Sequence, residues 1–263
     1  MKQRSYIVII LFLVACKLAC ALTISEQQAQ QIGAKIWKNE CGGTIDGLTT
    51  WNQGEDFASL GIGHFIWYPQ GKTGVFKETF PSLLIFLEKH GKKIPTGILK
   101  NKSMACPWNS RADFLRNKNS KSMAVLRNFL ADTIELQTTF LMQRVTKALP
   151  IMLKNLSQGK QTHITQQFNR LVNSSHGLYP LVDYINFKGE GIMCHEQYKG
   201  YRWGLLQVLE KMKGTALGRP AIQEFSKAAK EVLVGRVAHA PPTLNEVRWL
   251  PGWKNRIDTY LKE

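Results

Sequence analysis

The chain has 263 residues, with 35 Lys and Arg against 19 Asp and Glu, a formal charge of +16. Its 44 % hydrophobic content, without repeats or low-complexity tracts, excludes a fibrous or disordered chain and leaves enough length for one large domain. The positive balance favours a polyanionic partner through long-range attraction: nucleic acid, anionic lipid or the bacterial cell wall all qualify. Because the cations are scattered rather than clustered, a solvated basic surface accounts for part of that charge.

Lys2 and Arg4, an apolar run over 6–15 and the small-x-small end Leu18-Ala19-Cys20-Ala21 read as a secretory signal, with cleavage expected after Ala21. The run falls short of the roughly 20 apolar residues a membrane-spanning helix needs. Leu13-Val14-Ala15-Cys16 also fits a lipoprotein box, which would leave a lipid anchor at Cys16. Either reading exports the protein, to the periplasm or beyond if the source is bacterial. Residues 22–263 then form a single domain. Export argues against nucleic acid as the partner and for the wall.

Three cysteines remain outside that segment: Cys41, Cys106 and Cys194. An odd number allows at most one disulfide, and Cys106–Cys194 is the expected pair. No CxxC occurs and His195-Glu196 lacks the second histidine of a zinc helix, so neither metal nor cofactor is expected.

Thr23-Ile24-Ser25-Glu26 and Ser25-Glu26-Gln27-Gln28 both offer a capping box for a first helix. Ala29, Ile32, Ile36 and Trp37 follow at helical spacing, and Gly42-Gly43 ends the pattern. Glu40 lies four residues after Ile36, so its carboxylate points from the apolar stripe. Burial there, together with the carbonyl end of the helix, predicts a carboxyl pushed above its usual range.

From about residue 44 to 69 the pattern changes. Turn signals at Asp46-Gly47 and Gln53-Gly54 flank strands over 48–51 and 57–60, giving a small β-subdomain of two or three strands. Beyond it, from about 76 to 263, helical patterns run over 81–90, 110–116, 120–149, 163–173, 178–185, 201–212, 220–234 and 244–261. Pro150, Pro180, Gly218-Arg219-Pro220 and Pro241-Pro242 punctuate them, and Thr243-Leu244-Asn245-Glu246 is expected to cap the last. The fold class is α+β, mainly α, with a cleft between the small sheet and a helical bundle.

Glu40 at a helix end, a turn-rich stretch, and then Ser59-Leu60-Gly61-Ile62-Gly63-His64 together resemble the active-site region of the lysozyme superfamily, most nearly its phage-type muramidase branch. The resemblance covers residues 36–68, and the chain is longer than a minimal phage lysozyme. It implies a glycosidase in which Glu40 is the acid, Ser59 stands where phage enzymes commonly carry threonine and holds the attacking water, and the glycine turn shapes the cleft floor. His64 is expected to tie that turn to the bundle. The family's aspartate would fall near Gln53, which is not acidic. Glu55 is therefore favoured as the second carboxylate over Asp56, because it shares strand parity with Ser59, and Glu190 in a Gly-Glu-Gly turn is an alternative. Tyr184 and Asn186 are candidate sugar hydrogen-bonders. Trp51, Trp67, Tyr68 and Trp203 are candidate stacking platforms. Tryptophan and arginine in the segment 248–256 also resemble the end of phage-type lysozymes, where such residues pack the bundle. Peptidoglycan is the expected substrate and a monomer the expected state. A lytic transglycosylase using one glutamate, and a wall-binding protein without activity, stand as alternatives. Chitosan is disfavoured because like charges repel.

Overall fold

The computed structural model describes residues 25–74, 76–98 and 104–262. The expected signal segment and the possible lipid site at Cys16 lie outside the described residues.

Helix α1 (Glu26–Cys41) begins on the capping box at Ser25: its hydroxyl accepts from Gln28 N at 3.2 Å, and the Gln28 side chain accepts from Ser25 N at 3.0 Å. Gly42 at φ +62° ends it. Ala29, Ile32 and Ile36 are buried. Gly33 lets α1 approach α5 (Ile134–Leu153) closely, since a Cβ there would come within 2.5 Å of the Thr138 hydroxyl.

Strands β1 (Thr49–Thr50), β2 (Ala58–Leu60) and β3 (Phe65–Trp67) form an antiparallel meander in that order. Ser59 sits on the middle strand opposite Thr50 and Ile66. Helix α2 (Phe80–Lys89) packs on β3 and against α5. Then come α3 (Arg111–Arg116), α4 (Lys121–Ala131), α5, α6 (Gln158–Val172) and α7 (Leu178–Lys188). A second hairpin of β4 (Gln197–Tyr198) and β5 (Tyr201–Arg202) precedes α8 (Leu205–Lys211), α9 (Arg219–His239) and α10 (Leu250–Asp258). The architecture is α+β and mainly α. Helix α5 runs through the middle, touching α1, α2, α6 and α7, while α9 gathers α8 and α10. Among the described residues no helix is long and apolar enough to cross a membrane.

Four expected boundaries are corrected. The continuous helix over 120–149 is two helices. Thr133 turns its hydroxyl back to Phe129 O (2.8 Å) and Leu130 O (3.3 Å), and Gln137 Nε2 also donates to Leu130 O (2.7 Å). Side chains of the next helix thus satisfy the carbonyl end of the previous one, so no glycine or proline is needed for the break. Pro150, expected to end this region, lies inside the last turns of α5 instead. Residues 201–202, expected to be helical, are a strand, because Lys199 and Gly200 both take positive φ (51° and 82°) and close a tight hairpin. The box at 243–246 does not open the final helix. Asn245 adopts φ +44°, Glu246 turns inward, and α10 starts only at Leu250.

The expected disulfide is also corrected: Cys194 is an exposed free thiol, so Cys106–Cys194 does not form, and Cys41 and Cys106 are buried.

Candidate active site

Glu40 occupies the last turn of α1, and its side chain is only 13 % exposed. Three elements converge on it. From α7, Asn186 Nδ2 donates to its Oε1 at 3.2 Å. From α10, Arg256 Nη2 donates to the same oxygen at 2.5 Å. From the turn between β2 and β3, His64 Nδ1 lies 3.6 Å from Oε2. The sheet and the bundle therefore meet at this carboxylate.

The turn that delivers His64 is held by α5. Ile62 N donates to Gln137 Oε1 at 2.9 Å. Gly61, at φ +68°, faces the same amide, and a Cβ there would meet Gln137 Oε1 at 2.4 Å. So Gln137, not His64, ties the turn to the bundle. His64 is instead held at φ +47°, with its ring beside Glu40 and its Nε2 buried without a partner.

Arg256 is also gripped by Asp183. Its Nε donates to Asp183 Oδ2 at 2.9 Å and its Nη2 to Asp183 Oδ1 at 2.8 Å. Asp183, on α7, is fully buried and also accepts from the Tyr260 hydroxyl at 2.7 Å. Beyond Arg256 the packing alternates cations and rings. Arg256 lies 4.2 Å from the Phe187 ring centre, Lys188 Nζ lies between Phe187 (3.9 Å) and Trp253 (3.6 Å), and Arg236 lies over Trp253 (5.0 Å) and Trp203 (4.2 Å). Arg236 is in turn paired with Glu246.

The electrostatics reverse one expectation. Burial alone would raise the Glu40 carboxyl. The Arg256 charge and hydrogen bond, the His64 ring and the Asn186 amide together outweigh burial and hold it below the usual carboxylate range. The raised value expected from burial and the helix end omitted a guanidinium arriving from 216 residues along the chain. Next door, burial and the Glu40 charge push the Cys41 thiol up to about 12, so it packs as a thiol with its Sγ 3.5 Å from Gly61 O. Burial and the neighbouring Arg236 hold the Lys188 amine well below the usual lysine range.

The other expected site residues divide. Asn186 does reach Glu40. Ser59 is buried in the middle strand, and the Thr50 hydroxyl donates to its carbonyl at 3.2 Å. Glu55 lies in the turn before β2 rather than on it, so the strand-parity argument does not apply. Its carboxylate accepts from Asn52 at 3.2 Å, and its carbonyl from Trp51 Nε1 at 2.7 Å. Asp56 is exposed in the same turn. Glu190 pairs with Arg144, Nε to Oε1 at 3.0 Å. The expected stacking platforms are core: Trp67 is fully buried with its indole N–H on Met104 O, Trp51 packs on Phe114, Tyr68 packs on Phe57, and Trp203 is stacked under Arg236. Tyr184 is fully buried, its hydroxyl donating to Trp203 O at 2.9 Å, so it is a core residue rather than a sugar ligand. Arg256 and Asp183, which matter most to Glu40, were not among the expected site residues. The arginine was noted only as bundle packing, although its place in a helical segment with Trp253 at i−3 was a usable signal.

No protein-family model, no curated protein and no solved structure matches this chain.

Proposed function

We propose that this chain is an exported glycosidase of the lysozyme-like kind that cuts the glycan strands of peptidoglycan, with Glu40 as its proton donor. One observation carries the reading: a single, largely buried glutamate where a glycine turn of a small sheet meets a helical bundle, with a histidine, an amide and an arginine converging on it. A glycosidic oxygen leaves only when it gains a proton, and a carboxyl held in a fixed direction supplies one. In the forward step the Glu40 proton passes to the leaving oxygen, the C–O bond breaks, and an oxocarbenium-like sugar is captured by water, whose proton returns to the Glu40 carboxylate. The carboxylate left behind is stabilised by Arg256 and Asn186, groups already in place before charge develops. The positive surface suits a wall polymer that carries carboxylates.

Because Glu40 is held below the usual carboxylate range, it is an anion at neutral pH and its acid form accumulates only as pH falls toward that range. The rate should therefore keep rising as pH is lowered from neutral through the acidic range in which the protein stays folded. A second reading is favoured by the position of Glu55, which is bonded to Asn52 in its own turn. With Glu40 as the only reacting carboxylate, the enzyme would be a lytic transglycosylase, in which the same group first gives a proton and then removes one from the sugar's own hydroxyl. Digestion of purified peptidoglycan by wild type and Glu40→Gln, followed by mass spectrometry, tests both. Reducing-end products lost in the variant support hydrolysis, and anhydro ends support the transglycosylase. If the wild type leaves a susceptible wall intact at every pH where it is folded, the glycosidase reading fails.

A further inference from the structure

Arg256 serves two carboxylates with unequal shares. Asp183 takes Nε and one contact of Nη2, while Glu40 takes the remaining contact of Nη2. Asp183 has no exposed surface and a third donor in Tyr260, so it can neither hydrate nor swing away. Both anions approach one nitrogen, at 2.8 Å and 2.5 Å, which puts an Asp183 oxygen within about 5.3 Å of Glu40 Oε1. A fixed negative charge that close favours the neutral form of its neighbour.

We propose that Asp183 is a positioning residue for Glu40. It fixes the Arg256 guanidinium through Nε and Nη2, and it offsets part of that charge, so that Glu40 is held less firmly as an anion than Arg256 alone would hold it. An undivided Arg256–Glu40 pair would lock the carboxyl as an anion, which suits binding but not proton donation. The inference rests on the glycosidase reading only for what the proton is used for; the charge division belongs to the geometry. The other groups facing Glu40 are His64 on the glycine turn, Asn186 and Lys188 on α7, and Cys41 beside it on α1. Those facing Asp183 are Arg256, Tyr260 and Tyr179.

The test is an NMR titration of the Glu40 carboxyl carbon in the full chain, for wild type, Asp183→Asn and Arg256→Gln. The midpoint should fall in Asp183→Asn and rise in Arg256→Gln, each by on the order of 1 pH unit. A merely structural role for Asp183 would not produce shifts of opposite sign. An unchanged or raised midpoint in Asp183→Asn overturns the proposal. If that variant does not fold, Tyr260→Phe decides: it keeps both charges and removes one donor from Asp183, which then draws harder on Arg256. The Glu40 midpoint should then rise by a smaller amount, and no change or a fall overturns the proposal. Wall digestion by Glu40→Gln is read separately. The titration shifts can hold while digestion fails, which would sink the glycosidase reading alone, and the reverse result would sink the role of Asp183 alone.

Discussion

Two stretches on either side of the small sheet both carry carboxylates, and they differ in every respect that matters for chemistry. At the end of α1, Glu40 is largely buried, with an arginine, an amide and an imidazole converging on it. In the turn over 52–56, Glu55 accepts one hydrogen bond from Asn52 and Asp56 is exposed. The first carboxylate was fixed in place during folding, and its surroundings will act on it however a ligand arrives. Among the described residues, the second pair has no cation or second element converging on it: Glu55 is half-buried against its own turn and Asp56 is exposed. The difference teaches that, of the acids at the two ends of the small sheet, only Glu40 is preorganised, so the heaviest demands of any reaction there fall on the Glu40 end.

The comparison is broken most severely by removing Arg256. Arg256→Gln leaves Asp183 buried with only the Tyr260 hydroxyl, and an uncompensated buried charge costs about 3–5 kcal/mol. Denaturant unfolding should show that loss, and wall digestion should be impaired even where the variant is folded. A variant as stable as wild type would mean that the network around Glu40 is ornamental.

Lys188 tests the same end in the opposite direction. Its amine is buried between Phe187 and Trp253, close to Arg236 and Arg256, and forms no ion pair among the described residues. Burial, with Arg236, depresses its titration in the folded state below the unfolded value. The unfolded chain therefore binds more protons below the ordinary lysine range, and stability rises with pH toward that value. Lys188→Met removes the cost of burying the charge while keeping the stem packed. It should stabilise the protein at neutral pH by about 1 kcal/mol, the cation–π contacts offsetting part of the gain. The gain should fade toward pH values near 10.5, the unfolded reference. Thermal unfolding at two pH values checks both the sign and the trend.

The unequal ends also explain what could be read from sequence. The first helix, its cap at Ser25, the glycine turn and the placement of Glu40 on the apolar face are written in neighbouring residues, where spacing and turn chemistry decide. Asn186 was reachable because it sits in a polar cluster beside a helix end. Arg256 and Asp183 were not, since their roles come from 73- and 216-residue separations that no local period encodes. The direction of the Glu40 shift was lost with them, because desolvation is visible from local burial but the compensating charge is not. The aromatic residues fail for a different reason: a tryptophan in or beside a short strand reads alike whether it faces the core or a groove, and Trp51 and Trp67 are both buried in the core. The break between α4 and α5 went unseen because Thr133 and Gln137 made it with side chains that also suit a helix interior.

The smallest effect is expected from the other end of the sheet. Glu55→Gln and Asp56→Asn each remove one carboxylate charge from a turn that is otherwise kept in shape by the Trp51 indole on Glu55 O and by Arg111 Nε on Trp51 O at 2.9 Å. Neither substitution breaks those backbone contacts, so stability should change by less than about 0.5 kcal/mol. If Glu40 is the one reacting carboxylate, wall digestion should fall by no more than a few-fold. A second acid that carried a nucleophile or a water would instead show a loss of about two orders of magnitude or more. Such a loss in Glu55→Gln would move the turn into the reaction and require it to close on Glu40 when the glycan binds. It would also turn the choice from transglycosylase toward hydrolase, because a second carboxylate is what a hydrolase needs and a transglycosylase does not.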